Sequence, residues 1–436
     1  MSLNEILQLI ISIFDLTIDD FLREMYPDQP WVEPTIDVLG IMIMSTILLL
    51  SIFFIGWVER KVLARMQDRI GPNRVGGRYG LLQMVADVVK MMTKEVIIPT
   101  GADKFAYLLA PIVSMITSLL LFAVVPWAPG VIGVDLPAGL FYALAISSIS
   151  VVGLILAGWG SNNKYALLGA FRAVAQLVSY EVPLILALLV PVLLARTLST
   201  VGIVEAQSIP FIFFVPVSAL IFFISALAET GRSPFDLLEA ESEIVAGFHT
   251  EYTGMFFGLF MAAEYIAIMF MCFIFSTVYL GGYRFFGLET LVLPNVMVGS
   301  FALGDIAVGN IIAINVLLLK AAAVFFVFMW LRATLPRFRI DQLLDFNWKF
   351  MVPLSLVLLF SVAIADKIVE SYGLTDLGRM AVHLIINIVI AYVTVEILRW
   401  RARVKREQVE GPSPDKWHAE PVLADSSDDA HLAHAD

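Results

Sequence analysis

The sequence predicts an all-α, polytopic integral membrane protein with about nine transmembrane helices plus amphipathic helices lying on the membrane surface. Three observations lead there. The 436 residues are 59% hydrophobic and only 15% charged, and the mean hydropathy of +0.85 lies far outside the range of soluble domains. Apolar runs long enough to cross about 30 Å of hydrocarbon recur along the chain. Lys and Arg crowd onto alternate connections between those runs, as the positive-inside rule demands.

The runs fall at 36–58, 105–127, 136–158, 171–195, 211–229, 252–280, 305–331, 349–366 and 380–399. With the end at Trp57 facing the cytoplasm, Arg60 to Lys104, Lys164 to Arg172, Arg232, Arg332 to Lys349 and Arg399 to Lys416 lie inside. Only Arg23, Arg196, Arg284, Lys367 and Arg379 remain outside, so this orientation is preferred, with the N-terminus outside and the C-terminus cytoplasmic. In the first cytoplasmic loop, Leu81, Met84, Val85, Val88 and Met92 recur at helical spacing opposite Gln83, Asp87, Lys90 and Lys94. That pattern predicts an amphipathic helix on the membrane surface, either a plain anchor or the lip of a lipid-side entrance.

The transmembrane domain is placed at 36–406, between an acidic extension at 1–35 and an acidic tail at 407–436 predicted to be disordered. Residues 1–37 and 407–436 each carry eight acids against one base, so the ends hold −14 of a net −11 and the middle is mildly basic. Ile6 to Phe14 is apolar but too short to span and lacks the basic flank of a secretory signal; it is a candidate interfacial helix. The only cysteine, Cys272, excludes an internal disulfide and a thiolate cluster for zinc or iron and sulfur. His249 and His383 each stand alone in the sequence, which argues against paired axial haem ligands. No metal site is expected in the membrane domain, and His418, His431 and His434 in the tail are a weak alternative.

Ala228 to Tyr252, AETGRSPFDLLEAESEIVAGFHTEY, breaks the topology rule, with Glu229, Asp236, Glu239, Glu241, Glu243 and Glu251 against Arg232 alone. Ser233, Pro234 and Asp236 resemble an N-cap, a first-turn proline and a variant capping box, so a helix is expected to start there and end near Gly247. On it, Asp236, Glu239 and Glu243 share one side, whereas Glu241 projects from the side of Leu237, Leu238, Ile244, Val245 and Phe248. Capping alone explains Asp236, and a solvated or partner-facing surface is the alternative for Glu239 and Glu243. Glu241 is the strongest functional candidate.

Glu181 in SYEVP and Glu264 in MAAEYIA lie deep in the fourth and sixth spans, where an ion costs about 3 kcal/mol or more. With Glu229 closing the fifth span, they suggest a file of carboxylates from the acidic loop to mid-membrane. Lys320, the lone base in the middle of a span, is expected either to balance one of these acids or to act directly. Arginines gather in the other cytoplasmic loops, at Arg60, Arg65, Arg69 and Arg74 after Glu59, and at Arg332, Arg337 and Arg339. Topology explains them, and so does recognition of a carboxylate or polar headgroup. GPNRVGGRYG and GWGSNNKY specify tight loops rather than linkers, and neither has the spacing of a nucleotide loop.

Four blocks, WVERKVLARMQDRIGPNRVGGRYGLLQMVADVVKMMTKE, GWGSNNKYALLGAFRAVAQLVSYE, LAETGRSPFDLLEAESEIVAGFHTEY and LRATLPRFRIDQLL, resemble the H subunit of proton-pumping NADH:quinone oxidoreductase, respiratory complex I, and its relative, mitochondrial NADH dehydrogenase subunit 1. The resemblance covers about residues 36–366. It implies a bacterial inner-membrane subunit between a peripheral redox arm and the membrane arm, with partner subunits on both sides. This chain alone would hold no cofactor: quinone is the substrate at a shared site, and flavin and iron-sulfur clusters belong to partner subunits. The family's acidic path maps onto Glu181, Glu229, Asp236, Glu239, Glu241, Glu243 and Glu264. Its quinone chamber maps onto Glu59, Arg60, Arg69, Arg337 and Arg339, and its quinone entrance onto Trp57, Met84, Val88 and Phe260. Ala240 and His249 depart from the family pattern, which has Gly and Asn there. The lipid bilayer and quinone are the remaining partners, and no nucleic acid is expected. Two alternatives stay open: the homologous membrane subunit of a membrane-bound hydrogenase, and a stand-alone ion or solute transporter.

Overall fold

Inside hydrocarbon every backbone N–H and C=O must be bonded within the protein, which forces long apolar runs into helices. In the computed structural model, the structure describes residues 31–236, 246–285, 302–303, 306–372 and 376–410. The helices are α1 (Val32–Met66), α2 (Gln83–Thr93), α3 (Lys104–Leu120), α4 (Gly139–Gly160), α5 (Lys164–Ala195), α6 (Thr200–Ala206), α7 (Pro216–Glu229), α8 (Gly254–Tyr279), α9 (Val308–Thr334), α10 (Ile340–Phe346), α11 (Val352–Tyr372) and α12 (Asp376–Glu410). The only strands among the described residues are the two-residue pair Ala302–Leu303 and Ile306–Ala307. The chain is thus an all-α polytopic membrane protein. Eight helices among the described residues are long and apolar enough to span, with α10 and α11 joined through a π-helical turn at Asn347–Met351 into one of them. Residues to Asn387 form one unit, and those from Ile388 a second whose described part continues α12.

The fifth expected span, 211–229, is shorter than the sequence suggested. Phe211–Phe213 forms a separate 3-10 turn and Pro216 opens α7 at its first turn, leaving 14 residues. That is about 21 Å of rise, against about 30 Å of hydrocarbon. Elsewhere local chemistry sets the helix ends. Asp103 accepts from the amides of Phe105 and Ala106 to start α3, Asn163 accepts from Tyr165 to start α5, and Arg196 in the left-handed region (φ 57°) ends α5.

Pro111 lies inside α3, and Pro183 and Pro191 lie inside α5; each removes the amide that would have bonded the carbonyl four residues earlier. Side chains from other elements fill all three gaps. Tyr252 Oη donates to Tyr107 O, opposite Pro111, at 3.0 Å. Asn347 Nδ2, in the π-helical turn, donates to Ser179 O, opposite Pro183, at 2.6 Å. Ala187 O, opposite Pro191, accepts from Ser218 Oγ at 2.8 Å and Tyr279 Oη at 2.9 Å. The last two sets of bonds fasten α5 to α7, α8 and the α10–α11 span. Replacing Asn347 by Leu leaves Ser179 O in an apolar interior without that donor and is expected to cost about 1–3 kcal/mol. A thermal melting midpoint unchanged from wild type would show that another donor takes its place.

Two titratable residues within spans have partners on other elements. Lys320 Nζ donates to the carbonyls of Leu280 at 2.7 Å, Gly282 at 2.8 Å and Arg284, so it closes the C-terminal end of α8, where orphan carbonyls and the helix dipole favour a cation. His383 is not alone. Its Nε2 lies 3.5 Å from Asp366 Oδ1, which also pairs with Arg379 at 2.6 Å, while Arg196 lies 3.0 Å from Glu370. Arg196, Asp366 and Arg379 therefore share one end of the helices, as alternating spans require.

Candidate functional site

Glu59 ends the apolar stretch of α1 and is 4% exposed. Burial of a carboxylate demands charge partners. It has two: Arg232 Nη1 at 3.3 Å, from the acidic segment, and Arg332 at the end of α9, which donates to the same Glu59 oxygen. Tyr265 of α8 adds a side-chain hydrogen bond to Glu59, and the Arg232 guanidinium lies over the Tyr265 ring, 4.9 Å from its centroid. One buried centre thus ties α1, α8, α9 and the 230–236 segment together.

The acidic segment is held from two further sides. Gln176 of α5, fully buried, donates at 2.7 Å to the carbonyls of both Ala228 and Phe235. Arg337 Nη2 pairs with Asp236 Oδ2 at 2.8 Å, and Phe338 N donates to Pro234 O at 3.1 Å. Ser233 and Pro234 form a turn closed by Phe235 N donating to Arg232 O at 2.8 Å, so no helix has begun by Asp236. Asp236 is an ion-pair partner of Arg337 there, and the amides that a cap at Asp236 would bond lie outside the described residues. Glu239, Glu241 and Glu243, with the rest of the expected acidic helix, lie outside the described residues. Gly247, expected to end that helix, has φ +60°.

Of the carboxylate file, Glu181 lies in the middle of α5 and Glu229 at the end of α7, and the two helices pack together with the two charges within electrostatic range. One oxygen of Glu229 is buried without a hydrogen-bond partner among the described residues. Ser148 of α4 donates to Glu181. Glu264 sits half-buried on α8, one residue before Tyr265.

At the expected entrance, α2 forms where the amphipathic pattern predicts it and packs against α1 and α8. Met84 is buried over Gly56, where an added Cβ would meet its Cε at 2.5 Å. Val88 is half-buried, and Trp57 Nε1 donates to Tyr79 O at 2.9 Å. The loop that presents this carbonyl depends on Gly80, whose φ is +66° and where a Cβ would fall 2.5 Å from Pro72 O. Arg60 Nη1 lies 2.5 Å from Asp87 Oδ2 and fastens α2 to α1. Partial burial opposes the Asp87 charge, but the hydrogen bond and charge of Arg60, with Lys90 nearby, outweigh it and hold the carboxyl below its ordinary range. Phe260 lies inside an aromatic cluster with Phe248 and Tyr252. The structure does not bring Arg69 or Arg339 to the Glu59 centre. Arg69 is exposed and bonds Gln67 at 2.9 Å, whereas Arg339 is exposed at the start of α10, its amide donating to Gln342.

His249 is buried against Phe248, Phe257 and Phe260, and burial pushes its imidazole pKa down to about 4. The unfolded chain takes up a proton near pH 6.5 that the folded state refuses until about 4. Stability is therefore unaffected by this group above about pH 6.5 and falls as pH drops toward 4, by about 3 kcal/mol in all. His249→Asn should remove that slope in melts between pH 6.5 and 4; parallel wild-type and variant curves would rule it out.

Sequence reasoning missed Tyr265 and Gln176 as site residues and read Arg232 and Arg332 as charge balance and topology. Both uncharged residues are polar groups within predicted spans, a signal as legible as Glu181.

The family model described as NADH dehydrogenase matches residues 39–363. The chain is 45% identical over 332 residues to the H subunit of NADH-quinone oxidoreductase from Dehalococcoides mccartyi (strain CBDB1), covering 75% of this chain and 87% of the relative. It is 45% identical to the protein of the same name from Geobacillus kaustophilus, over 73% of this chain and 90% of the relative. With that from Chlorobaculum tepidum it shares 48% identity over 69% of this chain and 83% of the relative. The match spans α1 to most of α11, including the Glu59 centre, the described acidic segment and α2, and by it the chain belongs to the NADH dehydrogenase family.

Proposed function

We propose that this chain is a membrane subunit of a multi-subunit NADH:quinone oxidoreductase that helps to form the quinone chamber and couples quinone reduction to proton translocation through its carboxylates. The observation that carries this reading is the tying of the acidic segment to α1 and to the α9–α10 stretch, through Glu59 with Arg232 and Arg332 and through Asp236 with Arg337. That segment continues directly from α7, whose last residue is Glu229. The relatives' names support the same reading over a hydrogenase component or a lone transporter.

Quinone reduction consumes two electrons, which clusters in partner subunits would supply, and two protons. Taking protons beside the acidic segment leaves negative charge that neighbouring carboxylates share, because closely spaced acids titrate as a coupled set. Glu229 and Glu181 would pass that change toward mid-membrane, with Asp236, Glu239, Glu241, Glu243 and Glu264 as the other members. Arg60, Arg69, Arg337 and Arg339 would face the chamber, and Trp57, Met84, Val88 and Phe260 its lipid-side entrance. The chain would sit in a bacterial inner membrane between peripheral and membrane-arm partners, with the end of α1 at Arg60 and the connection carrying Arg337 on the cytoplasmic side.

In the assembled complex, Arg60→Ala and Arg339→Ala are each expected to raise the quinone KM by roughly tenfold, the scale of one charge-assisted hydrogen bond. An unchanged KM would leave both as topology determinants. Transport by the isolated chain in liposomes would instead favour the lone transporter.

A further inference from the structure

Ser148 occupies the middle of α4, nine residues after Gly139, on a face left exposed. Its hydroxyl is placed to donate to two acceptors, the Glu181 carboxylate of α5 and the Leu144 carbonyl of its own helix at 3.0 Å. A serine carries one hydroxyl proton, so it can serve only one of them at a time. Glu181 decides which. When Glu181 is ionised, the charge-assisted bond is the stronger and Ser148 turns to the carboxylate. When Glu181 is protonated, its own O–H donates to Ser148 Oγ, and the Ser148 proton turns to Leu144 O. Leu144 O loses little by release, because it remains the acceptor position of the helix ladder.

We propose that Ser148 is a positioning residue of the carboxylate file, a two-state hydroxyl that carries the charge state of Glu181 to the exposed face of α4. The proposal rests on the coupling role of Glu181 given above. Three features make this site more than a helix-packing serine. Ser148 contacts Glu181 directly, Glu181 lies within electrostatic range of Glu229, and one Glu229 oxygen is buried without a hydrogen-bond partner among the described residues. The hydroxyl is thus the point where the file reaches the surface of α4.

Thr and Val have nearly the same shape and differ in the hydroxyl, so Ser148→Thr and Ser148→Val separate chemistry from packing. Both are made in the whole complex beside Glu181→Gln, with Ser148→Ala as a second hydroxyl-free variant should Val disturb assembly. Reduction of a water-soluble acceptor by NADH reports intact electron input. Expected is coupled quinone reduction within about twofold of wild type for Thr, and at least roughly tenfold slower for Val or Ala. The pH profile of the hydroxyl-free variants should also be displaced by about one unit. Equal behaviour of Thr and Val, or a wild-type pH profile in Val and Ala, overturns the role of Ser148 alone if Glu181→Gln is impaired. Unimpaired Glu181→Gln overturns the coupling reading and this proposal with it.

Discussion

Glu59→Gln is expected to destabilise the membrane domain by about 3 kcal/mol and to reduce sharply the amount of assembled complex, even though the side chain keeps its shape. The glutamate is 4% exposed and is shared by Arg232 and Arg332. Losing the anion leaves two neighbouring cations, one of them largely buried, with no charge between them. Breaking a buried pair from one side typically costs about 3–5 kcal/mol, and the partial exposure of Arg332 places the effect at the lower end. The same logic makes Arg332→Met in the Glu59→Gln background less damaging than the sum of the two changes, because the second removes a stranded charge. Arg69→Gln is the control, since Arg69 is exposed and bonds its near neighbour Gln67; within about 0.5 kcal/mol of wild type is expected. Melting midpoints of the purified complex check all three. A Glu59→Gln midpoint matching that of Arg69→Gln would show that the centre contributes no stability.

The second large effect belongs to Glu181 and Glu229. Neutralising either with Gln keeps a polar side chain of the same size but removes its proton exchange. Quinone reduction coupled to pumping should fall at least tenfold, on the scale of a lost acid–base group. Because the two carboxylates act on each other, the double variant should be little worse than either single one. Additive losses would mean two independent roles rather than one file.

Much of this architecture was legible in the sequence because it depends on local signals. Apolar length gave the spans, and the spacing of Met84, Val85, Val88 and Met92 gave α2. The shortened α7 was less visible, since hydropathy does not register the 3-10 turn at Phe211–Phe213 or the start at Pro216. Pairings across long sequence separations were not legible at all. Nothing local says that Glu59 meets Arg332, or that Asp236 meets Arg337, and the charge of each is accounted for equally well by topology or capping. Lys320 reads as a candidate counter-ion because it is a cation in a span, and the three carbonyls just past α8 that it bonds are announced by no pattern in its own helix. The proline interiors were readable as missing donors, but the donors that replace them come from Ser218, Tyr252, Tyr279 and Asn347 on other elements.

The most direct test of the coupling account is the rate of proton uptake into inverted membrane vesicles carrying the Glu181→Gln complex, driven by NADH oxidation by quinone, beside NADH oxidation by a water-soluble acceptor. The account predicts wild-type rates with the soluble acceptor and a loss of quinone-driven proton uptake of at least tenfold. Full uptake at the wild-type rate would contradict it.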